Sequence, residues 1–180
     1  MLRFSRFALV ALPALALAGC ATMNVSSYVV RGVDFTQYRT YAFAPTDTFS
    51  TGDPRLDNSP FFRDRLEGAV EKQLATKRFE RSTSSTPDLL IHYHARISQR
   101  FEVNTVDRER GYCSDNCEPT ADTYDEGTLV LDMVDTRTNK VVWRGSARSV
   151  VNGLIDNQTL MEQKIDEAVR RMLEGLPRHL

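Results

Sequence analysis

The chain has 180 residues, with 23 lysines and arginines against 24 aspartates and glutamates and a formal net charge of −1 at pH 7. This balance argues against a nucleic-acid-binding protein, which would carry a basic surplus, and gives no electrostatic reason to bind an anionic membrane surface. The length suits a single domain with a substantial core, and the sequence shows no internal repeat and no second hydrophobic span after the N-terminal one.

The N-terminus has the pattern of a secretory signal that ends in a cysteine. Two arginines lie within residues 1–6, and residues 7–18 form an apolar stretch that is too short to span a bilayer, since a transmembrane helix needs about 20 residues. Residues 17–20 (LAGC) resemble the lipobox of bacterial lipoprotein precursors. The resemblance implies cleavage between Gly19 and Cys20 and a diacylglycerol on the Cys20 thiol. The alternative is an ordinary signal with a chance cysteine.

The residues after Cys20 indicate where such a lipoprotein would reside. Ala21 follows the cysteine, whereas in lipoproteins of enteric type an aspartate at that position favours retention in the inner membrane. The resemblance therefore implies an outer-membrane protein, anchored by acyl chains and facing the periplasm. Residues 20–27 are small and polar, and we expect them to form the lipidated tether.

The first half of the folded region predicts two short strands and one helix. Residues 27–32 (SYVVRG) and 39–45 (RTYAFAP) have the composition of strands, and residues 34–38 (DFTQY) predict a turn between them. Ser59 is a good N-cap and Pro60 suits the first helical position. The helix that follows has one apolar stripe, which must be buried: Phe62, Leu66, Ala69, Val70 and Leu74.

The second half predicts three strands and a second helix. Residues 87–103 form a long strand, residues 104–125 a polar loop, and residues 127–135 and 140–151 a hairpin around TRTN. A capping box at residues 159–162 predicts the start of the second helix. The long strand alternates, so that one face is buried and the other is in contact with water. The wet face carries His92, His94, Arg96, Ser98 and Arg100.

These elements predict a single α+β domain over residues 28–177, after the signal at residues 1–19 and the tether. We expect an antiparallel sheet of four to five strands with both amphipathic helices packed on one face, because two such helices and a half-polar sheet then share one core. Trp143, the single tryptophan, is expected in that core rather than serving as a ligand platform.

Several stretches resemble a group of bacterial lipoproteins that is defined by a shared domain of unknown function, number 4136. They are DFTQYRTYAF, KQLATKRF, PDLLIHYH, EGTLVLDMVDTRTNKVVWRGSA and IDEAVRRMLEGLP, and the resemblance runs from about residue 29 to residue 177. It implies a fold but no activity. Arg78, after the first helix, stands where this family usually has glycine.

Cys113 and Cys117 flank the residues SDN inside the predicted polar loop. In an exported protein such a pair normally forms a disulfide, and closing so short a ring contributes at most about 2 kcal/mol. The bond would therefore shape the loop more than it would stabilise the fold. A metal or redox pair is the alternative, although a redox motif usually has two intervening residues rather than three.

His92 and His94 are two residues apart on a strand, so their side chains share a face and are candidates to ligate one metal ion. The sequence supplies no third ligand beside them, and the remaining histidine, His179, lies near the C-terminus. The alternative is that both are polar residues on the wet face of the sheet.

The segment from Thr105 to Gly127, around the polar loop, is rich in acidic residues, which suit calcium or a basic partner but lack the spacing of a calcium-binding loop. A solvated segment is the alternative. The acidic residues are Asp107, Glu109, Asp115, Glu118, Asp122, Asp125 and Glu126.

The chain contains no G-x-S-x-G nucleophile elbow, no H-E-x-x-H motif, no phosphate-binding loop and no dinucleotide fingerprint. We therefore expect no catalytic residues, no enzymatic activity and no cofactor apart from the lipid on Cys20. The sequence favours an interaction or structural module of the cell envelope, with envelope proteins as candidate partners. The alternative is a metal or small-ligand binding protein that uses His92 and His94.

Overall fold

A computed structural model describes residues 23–45, 54–83, 86–103 and 121–177 of the chain. The strands are β1 (Asn24–Val29), β2 (Thr40–Phe43), β3 (Glu80–Arg81), β4 (Leu89–Val103), β5 (Ala121–Asp135) and β6 (Lys140–Val150). The helices are α1 (Pro54–Asp57), α2 (Pro60–Thr76) and α3 (Gln158–Glu174), with a short 3-10 turn at Phe35–Gln37. The protein is therefore of the α+β class, as the sequence predicts.

The sheet differs from the predicted one in size and direction. Six strands are hydrogen-bonded in the order β1-β6-β5-β4-β2-β3, not four to five. The pairs β1–β6, β6–β5 and β5–β4 are antiparallel, but β2 is parallel to both β4 and β3. The expectation of an entirely antiparallel sheet is wrong because α2 intervenes between β2 and β4, and a helical crossover lets two strands pair in the same direction.

The core lies between one sheet face and the two long helices. Leu89 and Ile91 of β4 and Leu131 of β5 are almost fully buried, in one cluster with Leu66 of α2 and Val169 of α3. At one end of the helix pair, Arg65 of α2 forms an ion pair with Glu162 of α3. At the other end, the Lys77 Nζ donates to the Glu174 and Leu176 carbonyls, at 3.0 and 2.8 Å. The two helices therefore lie side by side and run parallel.

The folded region begins earlier than the sequence predicts. β1 starts at Asn24, so residues 24–27, which we expected in the tether, belong to the sheet, and the strand does not extend to residue 32. Met23 is buried, and Val25 and Val29 pack against the core. The sequence does not reveal this strand clearly, because serines lie between the two valines. Only every second side chain of an edge strand has to be apolar.

Two further boundaries of the predicted elements are wrong. β5 starts at Ala121, not at residue 127, so residues 121–125 of the predicted loop pair with the end of β4. The capping box at residues 159–162 does not begin α3: the helix starts at Gln158, and the N-cap is Asn157, whose side chain accepts a hydrogen bond from the Leu160 N–H at 2.9 Å. Asn and Thr are both good caps, and the turn before α3 decides between them.

The other helix has the predicted start and an unusual end. Ser59 is the N-cap of α2, and its Oγ accepts a hydrogen bond from the Phe62 N–H. After the helix, the Phe79 N–H donates to the Leu74 carbonyl and the Arg78 N–H to the Ala75 carbonyl, which is a Schellman motif. Arg78 has a φ of +67°, in the left-handed region that favours glycine.

Within the described ranges, none of the helices is both long and apolar enough to cross a membrane.

Candidate functional site: the open face of the sheet

The sheet face opposite the helices, here called the open face, is built from alternate residues of four strands. Its members follow from the strand registers, because residues directly opposite one another in neighbouring strands point to the same side. One row runs His92, Asp132, Arg144 and Tyr28; the next His94, Val130, Ser146 and Ser26; the next Arg96, Thr128, Arg148 and Asn24. A shorter row contains Ser98 and Glu126, followed by the pair Arg100 and Tyr124.

The two predicted metal ligands lie together on this face. His92 and His94 are both partly buried, on β4, with His92 directly opposite Asp132. Among the described residues there is no group of three or more histidine, cysteine, aspartate or glutamate side chains placed to hold a metal ion. The structure therefore brings the two histidines together as predicted and adds no third ligand from the described ranges.

Asp132 is buried and engaged by an arginine. Its two carboxylate oxygens accept hydrogen bonds from the Arg144 Nε and a terminal guanidinium nitrogen, at 2.5 and 2.6 Å. This forked, charge-assisted geometry is the strong form of an ion pair. The hydrogen bond to Asp132 raises the pKa of Arg144 above its usual value, so the guanidinium stays charged. Asp132 thereby orients an arginine beside the exposed ring of Tyr28.

A second charged group occupies the other end of the open face. Glu126 is mostly buried, and its Oε1 lies 3.0 Å from Arg100 and 3.7 Å from the Arg148 Nε. The two arginine side chains are about half exposed, so each keeps guanidinium N–H groups directed to solvent. Arg96 is exposed and forms no ion pair with any other residue of the described chain.

A broad depression of about 840 Å³ lies beside these arginines. Among the described residues, the lining contains three arginines and one histidine but no carboxylate. It comprises His94, Ala95, Arg96, Ser98, Gln99, Arg100, Thr128, Val130 and Arg148. The local surface is therefore positive although the chain as a whole is near neutral.

A buried polar cluster at the β5–β6 turn is the other group of strongly interacting side chains. The Tyr38 hydroxyl donates to the Asp135 Oδ2 at 2.8 Å, and the Arg137 and Thr138 N–H groups donate to the Oδ1 at 2.7 and 3.2 Å. Burial alone raises the pKa of Asp135, but these hydrogen bonds outweigh it and hold that pKa below its usual value. Burial and the bond to Asp135 raise the pKa of Tyr38 to about 12.

A neighbouring carboxylate fixes the start of β2. The Asp88 Oδ2 accepts hydrogen bonds from the Arg39 and Thr40 N–H groups at 2.9 and 2.8 Å and from the Thr40 hydroxyl at 2.9 Å. These bonds outweigh the effect of burial and lower the pKa of Asp88. The carboxylate oxygens of Asp88 and Asp135 accept hydrogen bonds from other residues of the fold. This region therefore connects strand ends and is not a candidate catalytic site.

Trp143 is in the core, as predicted, and is fully buried. Its Nε1 has no hydrogen-bond acceptor in the described part of the chain. The ring lies over Gly145, where an added Cβ would come within 2.5 Å of the ring and 3.0 Å of the Met172 Cβ of α3. Gly145 therefore leaves the space that the indole needs between the sheet and α3.

Several predicted site residues lie outside the residues that the structure describes. They are the cleavage and lipidation residues Gly19 and Cys20, the proposed disulfide partners Cys113 and Cys117, His179, and the loop acids Asp107, Glu109, Asp115 and Glu118. The other three acids of the predicted loop, Asp122, Asp125 and Glu126, lie on β5.

Sequence reasoning missed two side chains of the open face and one of the polar cluster at the β5–β6 turn. Asp132 and Thr128 were not singled out, although the alternation along β5 places both on the same face as Glu126. Asp135 was also missed, and its signal is its position just before the turn TRTN, because an aspartate there accepts hydrogen bonds from the turn N–H groups. The pairing with Tyr38, 97 residues away, left no sequence signal.

Comparison with known proteins places the chain in a family. Residues 25–178 match the family described as Domain of unknown function (DUF4136). The chain belongs to this family. The sequence resemblance to this group is therefore confirmed, and among curated proteins none is significantly similar to the chain.

Solved structures with a similar fold share little sequence. A PDZ domain protein from Parabacteroides distasonis is 16% identical with a TM-score of 0.54; the match covers 86% of this chain, which spans only 36% of that one. A PelC dodecamer subunit from Paraburkholderia phytofirmans is 9% identical with a TM-score of 0.51, over 88% of this chain and 100% of that one. These likenesses concern the fold alone.

Proposed function

We propose that this protein is a lipid-anchored, non-enzymatic interaction module of the bacterial cell envelope, held at the periplasmic face of the outer membrane. The anchor is supported by the LAGC sequence that ends at Cys20. The interaction role is supported by one observation, the open face, which is polar, contiguous over four strands and left uncovered by the helices.

The composition of the open face suits a contact surface. Arginine and tyrosine are enriched in protein interfaces, and both are present here: Arg144 is held by Asp132 next to Tyr28, which is 53% exposed. An arginine fixed by an internal carboxylate loses less side-chain freedom when a partner binds. At this end of the open face, Arg144 is therefore an oriented donor rather than a flexible, solvated charge.

Site-specific crosslinking in intact cells tests the interaction role. A photoreactive residue at Ser146, in the middle of the open face, should give a recurrent crosslinked partner. The matched control is Gln163, an exposed position on α3 on the opposite side of the molecule. If Ser146 yields nothing above background, or if Gln163 yields the same product, the open face is not the contact surface.

The anchor has its own test. Labelled palmitate should enter the protein, and the label and outer-membrane fractionation should both be lost in Cys20→Ala. A wild-type protein that takes up no label would contradict the lipoprotein assignment.

The alternative function is metal or small-ligand binding at His92 and His94. It is favoured by their position on one face, with His92 opposite Asp132. A zinc titration by calorimetry should then show micromolar binding that is lost in the double variant His92→Ala, His94→Ala. Absence of zinc uptake by the wild-type protein would contradict this alternative.

A further inference from the structure

We infer that the arginine-lined depression of the open face binds an acidic saccharide that carries repeated carboxylates. This inference rests on the proposed function, since it uses the same face, and it names the chemistry of a ligand there. The binding groups are Arg96, Arg100 and Arg148, with hydroxyls from Ser98 and Thr128.

The charge of the depression calls for an anion. Among the described residues, its three arginines face one nearby carboxylate, that of Glu126, which lies between Arg100 and Arg148. The local excess is therefore two positive charges, and Arg96 has no ion pair within the described residues. Guanidinium groups are always charged and bind carboxylates through paired N–H donors.

The strand geometry sets the spacing of the arginine backbones. Arg96 and Arg148 flank Thr128 in one row across β4, β5 and β6, two strand spacings or about 10 Å apart. Arg100 is four residues from Arg96 along β4, or about 14 Å. Arg100 and Arg148 converge on the Glu126 Oε1, whereas Arg96 forms no ion pair among the described residues. A short chain with repeated carboxylates would engage Arg96 and the Arg100–Arg148 pair together.

The groups between the arginines suit a sugar. The Thr128 and Ser98 hydroxyls donate and accept hydrogen bonds, as sugar hydroxyls do. Val130 gives the depression an apolar patch next to those hydroxyls. Glu126, already bound by two arginines, shows that the guanidinium groups are arranged to receive a carboxylate oxygen.

The surroundings disfavour a membrane or a densely charged polyanion. Beyond Arg100, the open face continues with Glu102 and Asp122, which are exposed and directly opposite each other. A planar anionic bilayer laid on this face would meet those two carboxylates, and the near-neutral chain offers no wider positive field. The positive area is thus bounded, as a binding site for a short segment of ligand would be.

Calorimetric titration of the full-length protein, in an uncharged detergent, with a trimer of galacturonic acid tests the inference. The trimer should bind, its methyl ester should not, and the affinity should fall as salt is raised because the contacts are between charges. Arg96→Gln with Arg148→Gln should weaken binding by about tenfold or more, since two charge-assisted contacts are lost. The matched control, Arg170→Gln with Arg171→Gln on α3, changes the net charge equally and should leave binding unchanged.

Folding of each variant is checked by thermal unfolding. If the glutamine variant does not fold, Arg96→Lys with Arg148→Lys keeps both charges but removes the paired donors, and binding should still weaken. No binding of the trimer to the wild-type protein, or equal loss in the α3 control, would overturn the inference.

Two further probes separate the possible anions. Inorganic polyphosphate or phosphatidylglycerol vesicles that bind more tightly than the trimer, with loss in the same Arg96 and Arg148 variant, would overturn the carboxylate assignment. This test is independent of the proposed function: crosslinking at Ser146 and palmitate labelling fail or succeed in cells, whereas trimer binding is measured on the isolated protein.

Discussion

At the scale of single residues, one strained backbone position and one close packing contact have measurable consequences. Arg78 adopts a left-handed conformation in the Schellman motif after α2, and Gly145 provides space for the ring of Trp143. The left-handed conformation of Arg78 costs stability because its Cβ is crowded at positive φ. The space at Gly145 stabilises the core because it lets the indole of Trp143 be buried completely against α3.

Replacing Arg78 with glycine should stabilise the protein. Glycine adopts a φ of +67° without crowding, and the gain exceeds the added freedom of the unfolded chain, so we expect about 0.5–1 kcal/mol. Chemical denaturation of Arg78→Gly and Arg78→Ala measures the effect. Alanine also carries a Cβ, so an equal gain in both variants would show that the arginine side chain, not the backbone, causes the cost.

Replacing Gly145 with alanine should destabilise the protein. The new Cβ would collide with Trp143 and crowd Met172, and overpacking of this kind typically costs about 1–3 kcal/mol. Gly68 on α2 is the control, since nothing lies within 4 Å of its added Cβ. Gly68→Ala should therefore stabilise the helix by about 0.5–1 kcal/mol. A neutral Gly145→Ala in thermal unfolding would mean that the indole has room to move.

At the scale of elements, caps and turns determine where each one begins. Asn157 is the cap of α3, and Asp135 fixes the β5–β6 turn through hydrogen bonds to its N–H groups. Both are short polar side chains that bond to the backbone nearby, which is why such residues end strands and start helices. Their effects are local and can be measured separately.

Asn157→Ala should lower the free energy of unfolding by about 1 kcal/mol, because the Leu160 N–H loses its acceptor. Thr159→Ala, which alters the position that the capping box implied, should change it by less than about 0.5 kcal/mol. Circular dichroism during urea denaturation distinguishes the two. A larger loss of stability in Thr159→Ala than in Asn157→Ala would show that the capping box, and not Asn157, starts α3.

Asp135 should make stability depend on pH. Its pKa is lowered in the folded state relative to an unfolded value near 4, so its contribution is full above about pH 4. That contribution is lost as pH falls through the folded-state pKa. Asp135→Asn should cost about 2 kcal/mol at pH 7, by weakening hydrogen bonds to a charged acceptor, and less in acid.

Denaturation of Asp135→Asn at several pH values measures this difference, with Asp166→Asn, at an exposed position on α3, as the control. A difference between the wild-type protein and Asp135→Asn that stays constant from pH 7 to pH 3 would show that ionisation of Asp135 does not contribute.

At the scale of the whole molecule, the sheet has two unlike faces. One is covered by α2 and α3, which run parallel, and the other carries the charged rows of β4, β5 and β6. Edge strand β1 completes both faces, because Val25 and Val29 pack against the core while Ser26 and Tyr28 extend the open face. The N-terminal limit of the fold therefore has consequences for both core and site.

A chain that begins at residue 22 should be as stable as the full chain, whereas one that begins at residue 30 should unfold at a much lower temperature. The longer truncation removes the buried Met23 and the whole of β1, exposing apolar surface worth about 25 cal/mol per Å². Differential scanning calorimetry compares the two. Equal melting temperatures would show that β1 does not stabilise the domain and would support the predicted tether instead.

The sequence by itself determined the elements with strong periodicity: the apolar stripe of α2, the alternation of β4 and the hairpin around TRTN were all predicted. It also placed His92 and His94 on one face, since the strand period is two. These features depend on neighbours along the chain, which a sequence displays directly.

Tertiary structure alone decided which distant residues meet. The parallel pairing of β2 with β4, the bond from Tyr38 to Asp135 and the row of Arg96, Thr128 and Arg148 join segments far apart in the chain. The start of β1 at Asn24 and the start of β5 at Ala121 also escaped prediction, because the residues there are mostly polar. Strand order and register are set by the packing of the whole core, so no local pattern encodes them.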